Sequence, residues 1–356
     1  MQRSHLYPML QALLAAILFG ASAPLAKLLL GQIDPVLLAA LLYLGSGLGV
    51  LLFKVLLHQR PTEGNAEARI QRADLPWLAG AVVAGGLLAP ILLLFSLRVT
   101  AAATASLLLN FEGVATAVIA VVVFKEAIGR RALWAILLVT AASMLLSWDT
   151  SGDWGLSLGA LGILGACVLW GVDNNLTRYI SAKDPLTIVL VKGFGAGSVS
   201  LILALLLGNA LPGPGVLLGA LVLGSLSYGL SIVLFIRAMR GLGAARTSAL
   251  FGTAPLAGVV LSLLLFREAP TTLFIVALPL MVAAALLLLS EQHSHHHTHE
   301  PLTHDHRHRH DDGHHEHDHP GMTDRGLMHS HPHTHEPKTH DHPHLPDIHH
   351  RHLHAD

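Results

Sequence analysis

Three ionisable side chains, Glu112, Asp173 and Lys192, interrupt long apolar stretches of the sequence. Such groups are costly in a helix that crosses a membrane, and they usually face a partner, a cavity or a solute. At 1.5 Å per helical residue, Asp173 and Lys192 both lie roughly 9–11 Å from the same end of consecutive stretches. This equal depth predicts an ion pair. The pair either only locks two helices together or also forms part of a solute site.

Glu112 has no basic residue at its own depth, which is about 18 Å into its stretch by the same count. A carboxyl group in a medium of low dielectric constant tends to take up a proton. Glu112 therefore either exchanges protons or binds a cationic solute, or it is a protonated acid that is hydrogen-bonded to a neighbouring helix. Thr116, four residues further on, shares its helix face, whereas Asn110 does not.

Neutral polar and aromatic side chains near these charges complete the candidate solute site. Asn174 and Asn175 follow Asp173 directly and offer amide donors and acceptors. Trp170 shares a helix face with Asp173 and could stack on an organic solute. Tyr228, in a serine-rich stretch, is a further candidate. No Ser-His-Asp, Cys-His or His-Glu-x-x-His arrangement and no phosphate-binding loop is present in the spans, so we expect no enzyme and no catalytic residue.

The C-terminal tail carries a different chemistry, because 24 of the 26 histidines lie within residues 293–354. Neutral imidazole suits Zn, Ni, Co and Cu ions, which we expect the tail to bind at several imprecise sites. Few large apolar residues interrupt it, which predicts a disordered segment. The alternative is a solubilising tail that titrates near pH ~6.5. No cofactor is required elsewhere. The candidate metal ligands are His295, His297, His299, His304, His306, His308, His310, His314, His315, His317, His319, His331, His333, His335, His340, His342 and His344.

The composition places the candidate solute site in a membrane. The 356 residues are 52% hydrophobic and 13% charged, whereas about 25% charged residues is usual in soluble domains. A soluble globular enzyme is excluded, as are a nucleic-acid binder, for want of a basic face, and a disulfide scaffold, since Cys167 is the single cysteine. A spanning helix needs about 20 apolar residues. We predict ten, near residues 8–30, 35–57, 75–97, 101–124, 132–148, 156–179, 185–207, 215–237, 244–266 and 272–290.

The chain also repeats itself, which indicates a duplicated architecture. Residues 105–126 align with residues 247–268 at an offset of 142, and each segment ends in Phe-Lys/Arg-Glu. Each half holds five spans. Because five is odd, the second half must cross the membrane in the opposite direction, as in many secondary transporters.

We therefore predict an all-α integral membrane protein of ten helices. A first five-helix repeat occupies residues 1–149, an inverted second repeat occupies residues 150–291, and the disordered histidine-rich tail occupies residues 292–356.

The positive charges predict how this bundle lies in the membrane. If the N-terminus is cytoplasmic, the inner connections hold 12 Lys and Arg residues and the outer connections hold 3. This bias predicts a multi-pass protein of the inner membrane with both termini, and hence the tail, in the cytoplasm. The inner group is Arg3, Arg60, Arg69, Arg72, Lys125, Arg130, Arg131, Arg178, Lys183, Arg237, Arg240 and Arg246, and the outer group is Lys27, Arg98 and Arg267.

Two motifs that recur in both halves resemble the EamA type of the drug/metabolite transporter superfamily. One is the helix-ending Phe-Lys/Arg-Glu, and the other is the aromatic-glycine pair Phe19-Gly20 and Trp170-Gly171. The resemblance covers about residues 8–290. It implies a ten-helix carrier with both termini inside that moves small organic solutes such as amino acids, nucleosides or drugs.

One position departs from the family pattern, which commonly has a proline in the middle of the fourth helix of each half. Pro255 supplies it in the second half, but Gly113, preceded by Glu112, stands at the aligned position of the first.

Three functions compete on this evidence. The first is a secondary, proton-coupled exporter of a small polar organic solute, whose tail binds metal. The second is a carrier of divalent metals or metal complexes, although the predicted spans contain no histidine. The third is a metal sensor or storage protein of the membrane. In each case the expected partners are the lipid bilayer, a small-molecule solute and metal ions at the tail, with no nucleic acid.

Overall fold

The structure is a computed structural model, and it has a helix at each of the ten predicted positions. It describes residues 3–56, 69–124, 130–149, 155–180, 183–242, 247, 250–267, 269–289, 294–298, 302–308, 329–335 and 339–343. Its helices are α1 Arg3–Gly20, α2 Ser22–Leu29, α3 Pro35–Leu56, α4 Leu75–Ala81, α5 Ala89–Val99, α6 Ala102–Leu108, α7 Phe111–Phe124, α8 Arg130–Ser147, α9 Leu158–Tyr179, α10 Pro185–Leu206, α11 Pro214–Gly224, α12 Ser231–Leu242, α13 Ala254–Phe266 and α14 Thr272–Leu289. A 3₁₀ turn, Arg72–Asp74, precedes α4, and π-helical segments, Val82–Leu88 and Ser225–Leu230, join α4 to α5 and α11 to α12.

Six of these helical stretches are long and apolar enough to cross a membrane. They are Leu6–Leu29, Pro35–Leu56, Arg72–Val99, Ala102–Phe124, Pro185–Leu206 and Pro214–Ala238. Shorter apolar helices cover Leu133–Ser147, Ala254–Phe266 and Thr272–Leu287. The remaining predicted span is α9, which is 22 residues long and contains the polar cluster that begins at Asp173. Helices suit this environment because all their backbone hydrogen bonds are internal.

The predicted continuous span at 101–124 is two helices in the structure, with a break between Leu108 and Phe111. The side-chain amide of Asn110 donates to the carbonyl of Leu107 at 3.0 Å, and its backbone N–H donates to the same carbonyl. An asparagine side chain competes in this way with the helical ladder. Glu112 therefore lies in the first turn of a half-helix and not in mid-helix.

The second half is broken at the corresponding place. Thr253 donates from both its hydroxyl and its backbone N–H to the carbonyl of Leu250. The half-helix α13 then begins at Ala254, which puts Pro255 at its second position, as Glu112 is at the second position of α7. The sequence alignment instead matched Pro255 with Gly113, because α7 has 14 residues and α13 has 13. Both residue types suit a helix start, since proline needs no donor there and an acid favours the helix dipole.

The helices α3 and α10, one from each repeat, pack on each other and run antiparallel. Asp34 and Asp184 cap these helices through hydrogen bonds from the backbone N–H groups two residues further on. Lys54, near the end of α3, pairs with Asp184 at the start of α10, so the two helices run in opposite directions. Asn209, just after α10, donates to Asp34 in turn. We call the two ends of the bundle the Asp34 end and the Asp184 end.

Other helix pairs follow the same pseudo-symmetry, as an inverted repeat requires. α1 packs on α12 and α13, and α9, its counterpart in the second half, packs on α5 and α7. The final helices of the two halves, α8 and α14, pack on each other. These helices of the two halves are thus packed in the same pattern.

The carboxylate of Asp184 is partly buried and accepts hydrogen bonds from Lys54, Thr187 and the backbone N–H of Leu186. Partial burial raises the pKa of Asp184, but hydrogen bonds from Thr187 and Lys54 outweigh burial, so the pKa lies below its ordinary value. The carboxylate form is therefore the one that the ion pair with Lys54 stabilises.

In the tail the structure describes four strands in two antiparallel pairs. Ser294–Thr298 pairs with Thr339–Pro343, and Leu302–His308 pairs with His329–His335. Pairing of this kind satisfies the backbone without an apolar core. The disorder of the tail as a whole stays a prediction. A further short pair, Trp148–Asp149 with Gly155–Leu156, joins the halves.

The aromatic-glycine motifs mark the closest helix crossings. A Cβ on Gly20 would overlap the carbonyl oxygen of Ala254, and one on Gly171 would lie 2.9 Å from the backbone nitrogen of Thr116. Only glycine lets α1 and α9 approach the half-helices α13 and α7 so closely.

We predict that Gly171→Ala destabilises the protein, because the added methyl group meets backbone atoms that cannot move aside. The expected loss is about 1–3 kcal/mol, typical of overpacking. Gly219→Ala is the matched control, since its Cβ would only touch a leucine methyl group at 3.8 Å. Thermal unfolding in detergent measures both variants, and equal melting temperatures would contradict the role of Gly171.

Candidate functional site

The predicted ion pair between α9 and α10 is present. Lys192 Nζ lies 2.7 Å from Asp173 Oδ1 and 2.6 Å from Oδ2, so it donates to both carboxylate oxygens. Thr177, one turn further along α9, donates to Asp173 Oδ1 at 2.9 Å. Asp173 is 4% exposed. The pair is therefore largely withdrawn from solvent, and its two charges cancel.

The π-helical segment Val82–Leu88 lies against this ion pair. A Cβ on Gly85 would overlap the carboxylate of Asp173, so glycine is needed there. The carbonyl oxygen of Gly85 accepts two hydrogen bonds, from Tyr43 Oη at 2.6 Å and from Trp170 Nε1 at 3.0 Å. π-helical turns are rare and frequently occur at functional sites.

Trp170 is consequently fixed by its indole N–H, and it is buried. Its prediction as a stacking surface for a solute rests on the ring face alone, since the polar edge of the ring is already bonded. Tyr43 was not among the predicted site residues. The adjacent pair Gly85-Gly86 marks an irregular point in an apolar span, but it does not indicate which side chain reaches it.

Glu112 accepts a hydrogen bond from α9, an arrangement that is compatible with both sequence interpretations. Asn174 Nδ2 donates to Glu112 Oε1 at 3.0 Å and to Thr116 Oγ1 at 3.1 Å. Thr116 Oγ1 donates to the backbone carbonyl of Glu112. Among the side chains that the structure describes, no Lys or Arg lies within ion-pair distance of Glu112.

The two asparagines of α9 have different surroundings. Asn174 is exposed and lies beside Glu112, whereas Asn175 is buried. The amide of Asn175 donates to the backbone carbonyls of Thr116 and Gly171, at 3.1 and 2.8 Å. Asn175 therefore holds α9 against α7, and Asn174 is the asparagine that a solute can reach.

Tyr228 lies in the second π-helical segment, which belongs to the second repeat. Its ring centroid is 5.8 Å from that of Tyr43 and 5.8 Å from that of Phe19, and Phe19 lies 5.2 Å from Phe251. Edge-on and tilted packing at these distances is favourable for aromatic rings. The predicted Tyr228 thus packs on Tyr43, and Tyr43 is hydrogen-bonded to the carbonyl of Gly85 beside Asp173.

The predicted metal ligands fall into two groups. His299, His310, His314, His315, His317, His319 and His344 lie outside the described residues, and the others lie on the paired strands of the tail. In the part of the chain that the structure describes, no group of three or more His, Cys, Asp or Glu side chains is placed to hold a metal ion.

Comparison with known proteins decides the class of this bundle. The model of the EamA-like transporter family matches residues 6–148 and again residues 157–290. The chain belongs to this family. An uncharacterized transporter of Methanothermobacter thermautotrophicus is 30% identical over 278 residues, which cover 74% of this chain and 80% of that protein. A solved crystal structure with 18% identity superposes with a TM-score of 0.58 over 79% of this chain and 94% of the other, which indicates the same fold.

An EamA-like transporter is a multi-pass membrane protein and not an enzyme, as the sequence predicts. The two matched ranges correspond to the two repeats and leave the histidine-rich tail outside.

We predict that Lys192→Met destabilises this transporter far more than Lys54→Met. Removal of Lys192 leaves a buried, uncompensated Asp173, which costs about 3–5 kcal/mol. Lys54 is in an ion pair too, but its side chain is 40% exposed, and exposed pairs contribute about 1 kcal/mol or less. Unfolding in detergent measures both variants. The double variant Asp173→Asn/Lys192→Met should recover most of the loss, and equal effects of the two single variants would contradict this account.

Proposed function

We propose that this transporter is a proton-coupled secondary exporter of a small polar organic solute that carries a positive charge. The observation that carries the proposal is the position of Glu112. It lies in the first turn of the half-helix α7, is hydrogen-bonded to the exposed Asn174, and has no cationic partner among the described side chains.

The charges around Glu112 support one exchangeable cation. Asp173 and Lys192 neutralise each other, so ionised Glu112 leaves the site with one net negative charge. The helix dipole and the Asn174 amide favour the carboxylate, while the apolar surroundings favour the neutral acid. These opposing effects let Glu112 change its protonation state, and a proton and an organic cation would compete for the same carboxylate.

Competition for one carboxylate supports exchange in place of co-transport. A solute that binds on one side must displace the proton, and a proton that binds on the other side must displace the solute. Inverted repeats around such a site permit access from either side in turn. If the Asp184 end faces the cytoplasm, as the distribution of Lys and Arg predicts, an inward proton gradient drives the solute outward.

We predict that Glu112→Gln abolishes transport driven by a pH gradient, because the amide cannot release or take up a proton. The purified protein in proteoliposomes is tested against a panel of organic cations, amino acids and divalent metals. Glu112→Asp should retain pH-dependent transport at a lower rate, and Glu67→Gln, a carboxylate in a connection outside the described residues, serves as the control. Normal flux of Glu112→Gln with unchanged pH dependence would refute the role of Glu112.

The tail supports a second role, the binding of divalent metals on the cytoplasmic side. Its histidines offer many imidazole ligands, and metal binding to imidazole displaces protons. A carrier of metals or metal complexes is the competing function, and metal flux without solute flux in the same proteoliposomes would select it. A protein that binds metal but moves neither is a sensor or a store.

We predict that the full-length protein binds several Zn, Ni, Co or Cu ions at about pH 7.5 and releases them near pH 5, as imidazole is protonated. A chain truncated after Leu289 should bind none of these ions with comparable affinity, while it inserts and transports normally. Calorimetry in detergent measures both proteins. Equal metal uptake by the two proteins would show that the tail is not the segment that binds metal.

A further inference from the structure

The repeat pairs each position at the Asp184 end with a counterpart at the Asp34 end, so the two ends can be compared contact by contact. At the Asp184 end two ion pairs join the first half to the second. Lys54 Nζ lies 3.0 Å from Asp184 Oδ2, and Lys183 Nζ lies 3.8 Å from Asp74 Oδ2.

Aromatic rings add to these ion pairs. The indole of Trp77, at the start of α4, stacks on the ring of Tyr179, at the end of α9, with centroids 4.1 Å apart and planes 11° apart. Phe124, the last residue of α7, meets the same tyrosine edge-on at 5.7 Å. The Asp184 end is thus closed by two charged pairs and one aromatic stack between the halves.

The counterparts of one ion pair are apolar. At the offset of 142 that aligns the halves, Asp74 corresponds to Val216, and at the offset of 150 between Asp34 and Asp184, Lys183 corresponds to Ile33. Val216 and Ile33 belong to one apolar cluster. The Asp34 end therefore has hydrophobic packing at the positions where the Asp184 end has an ion pair.

The counterpart of the aromatic stack is also aliphatic. Trp77 corresponds to Gly219, whose nearest neighbour beyond its own helix is a methyl group of Leu29. A small residue against a leucine gives close packing without a stacked ring pair.

The Asp34 end is held by a different set of contacts. Arg98 pairs with Asp34 at 3.5 Å, and both belong to the first repeat. Asn209 of the second half donates a neutral hydrogen bond to Asp34, and Lys27 lies 5.8 Å from the ring centroid of Phe266 in the second half. The two ion pairs at the Asp184 end, in contrast, join charged side chains of opposite halves.

The two ion pairs differ in exposure. The side chains of Lys54 and Asp184 are 40% and 19% exposed, and those of Lys183 and Asp74 are 11% and 15% exposed. The exposed Lys54 regains hydration when its pair parts, whereas separation of the buried pair leaves two charges that water must reach. Separation of the halves at the Asp184 end therefore requires water to enter this end.

We propose that Asp74–Lys183, Lys54–Asp184 and Trp77–Tyr179 form a latch between the two halves, and that its release opens the Asp184 end toward Asn174 and Glu112. This latch goes beyond the proposed exchange chemistry. It would operate for any solute, because its ion pairs and its aromatic stack join residues of the Asp184 end to one another.

Cysteine accessibility tests the latch without any solute or pH gradient, so failure of the exchange chemistry would not affect the result. The only native cysteine, Cys167, is replaced by serine, and Asn174→Cys serves as the reporter, with Thr116→Cys as a second reporter. Intact cells and inverted vesicles are labelled with a membrane-impermeant maleimide, which reports access from each side.

The double variant Lys54→Gln/Lys183→Gln should raise the labelling rate from the Asp184 side about fivefold, since both ion pairs between the halves are removed together. Tyr179→Leu should raise it independently. Reversal of the buried pair, Asp74→Lys/Lys183→Asp, should return the rate to within about twofold of the parent, because the attraction is restored. Arg98→Gln, at the other end, is the control and should leave access from the Asp184 side unchanged.

Three results would overturn the latch. They are unchanged labelling in both the double variant and Tyr179→Leu, an increase only from the Asp34 side, and an equal increase in Arg98→Gln. Gel filtration of each variant in detergent confirms that labelling reports on folded protein.

Discussion

In hydrocarbon, every backbone N–H and C=O group that a helix interruption releases must find a partner inside the protein. This constraint governs where the bundle can depart from ideal helices. The break before α7 is closed by the amide of Asn110, and the break before α13 is closed by the hydroxyl of Thr253. The carbonyl of Gly85, in a π-helical turn, is bonded by two side chains. The interruptions and the polar side chains that satisfy them therefore occur together, and Glu112 and Gly85 of the candidate site lie at two of these interruptions.

Much of this arrangement could be predicted from the sequence, because long-range regularities survive in it. Apolar run lengths predicted the ten spans, and the internal offset predicted the two repeats. Equal depth predicted the pair of Asp173 and Lys192, since a charge in an apolar medium needs a partner. The helix breaks could not be predicted in this way, because an apolar run that contains a single asparagine is also compatible with one continuous helix.

Other features were out of reach for physical reasons. The π-helical segments depend on which side chains from other helices reach the carbonyl of Gly85, and Tyr43 is 42 residues away in sequence. The one-residue difference between α7 and α13 shifted the alignment, which hid the equivalence of Glu112 and Pro255.

The two donors on the Gly85 carbonyl have a consequence for how this site can change over time. Tyr43 and Trp170 lie on different helices, and each alone is enough to keep the oxygen bonded. The loss of either donor alone therefore still leaves this oxygen bonded. The loss of both would leave a stranded carbonyl next to the buried Asp173, so the two positions constrain each other even where a change at one of them is tolerated.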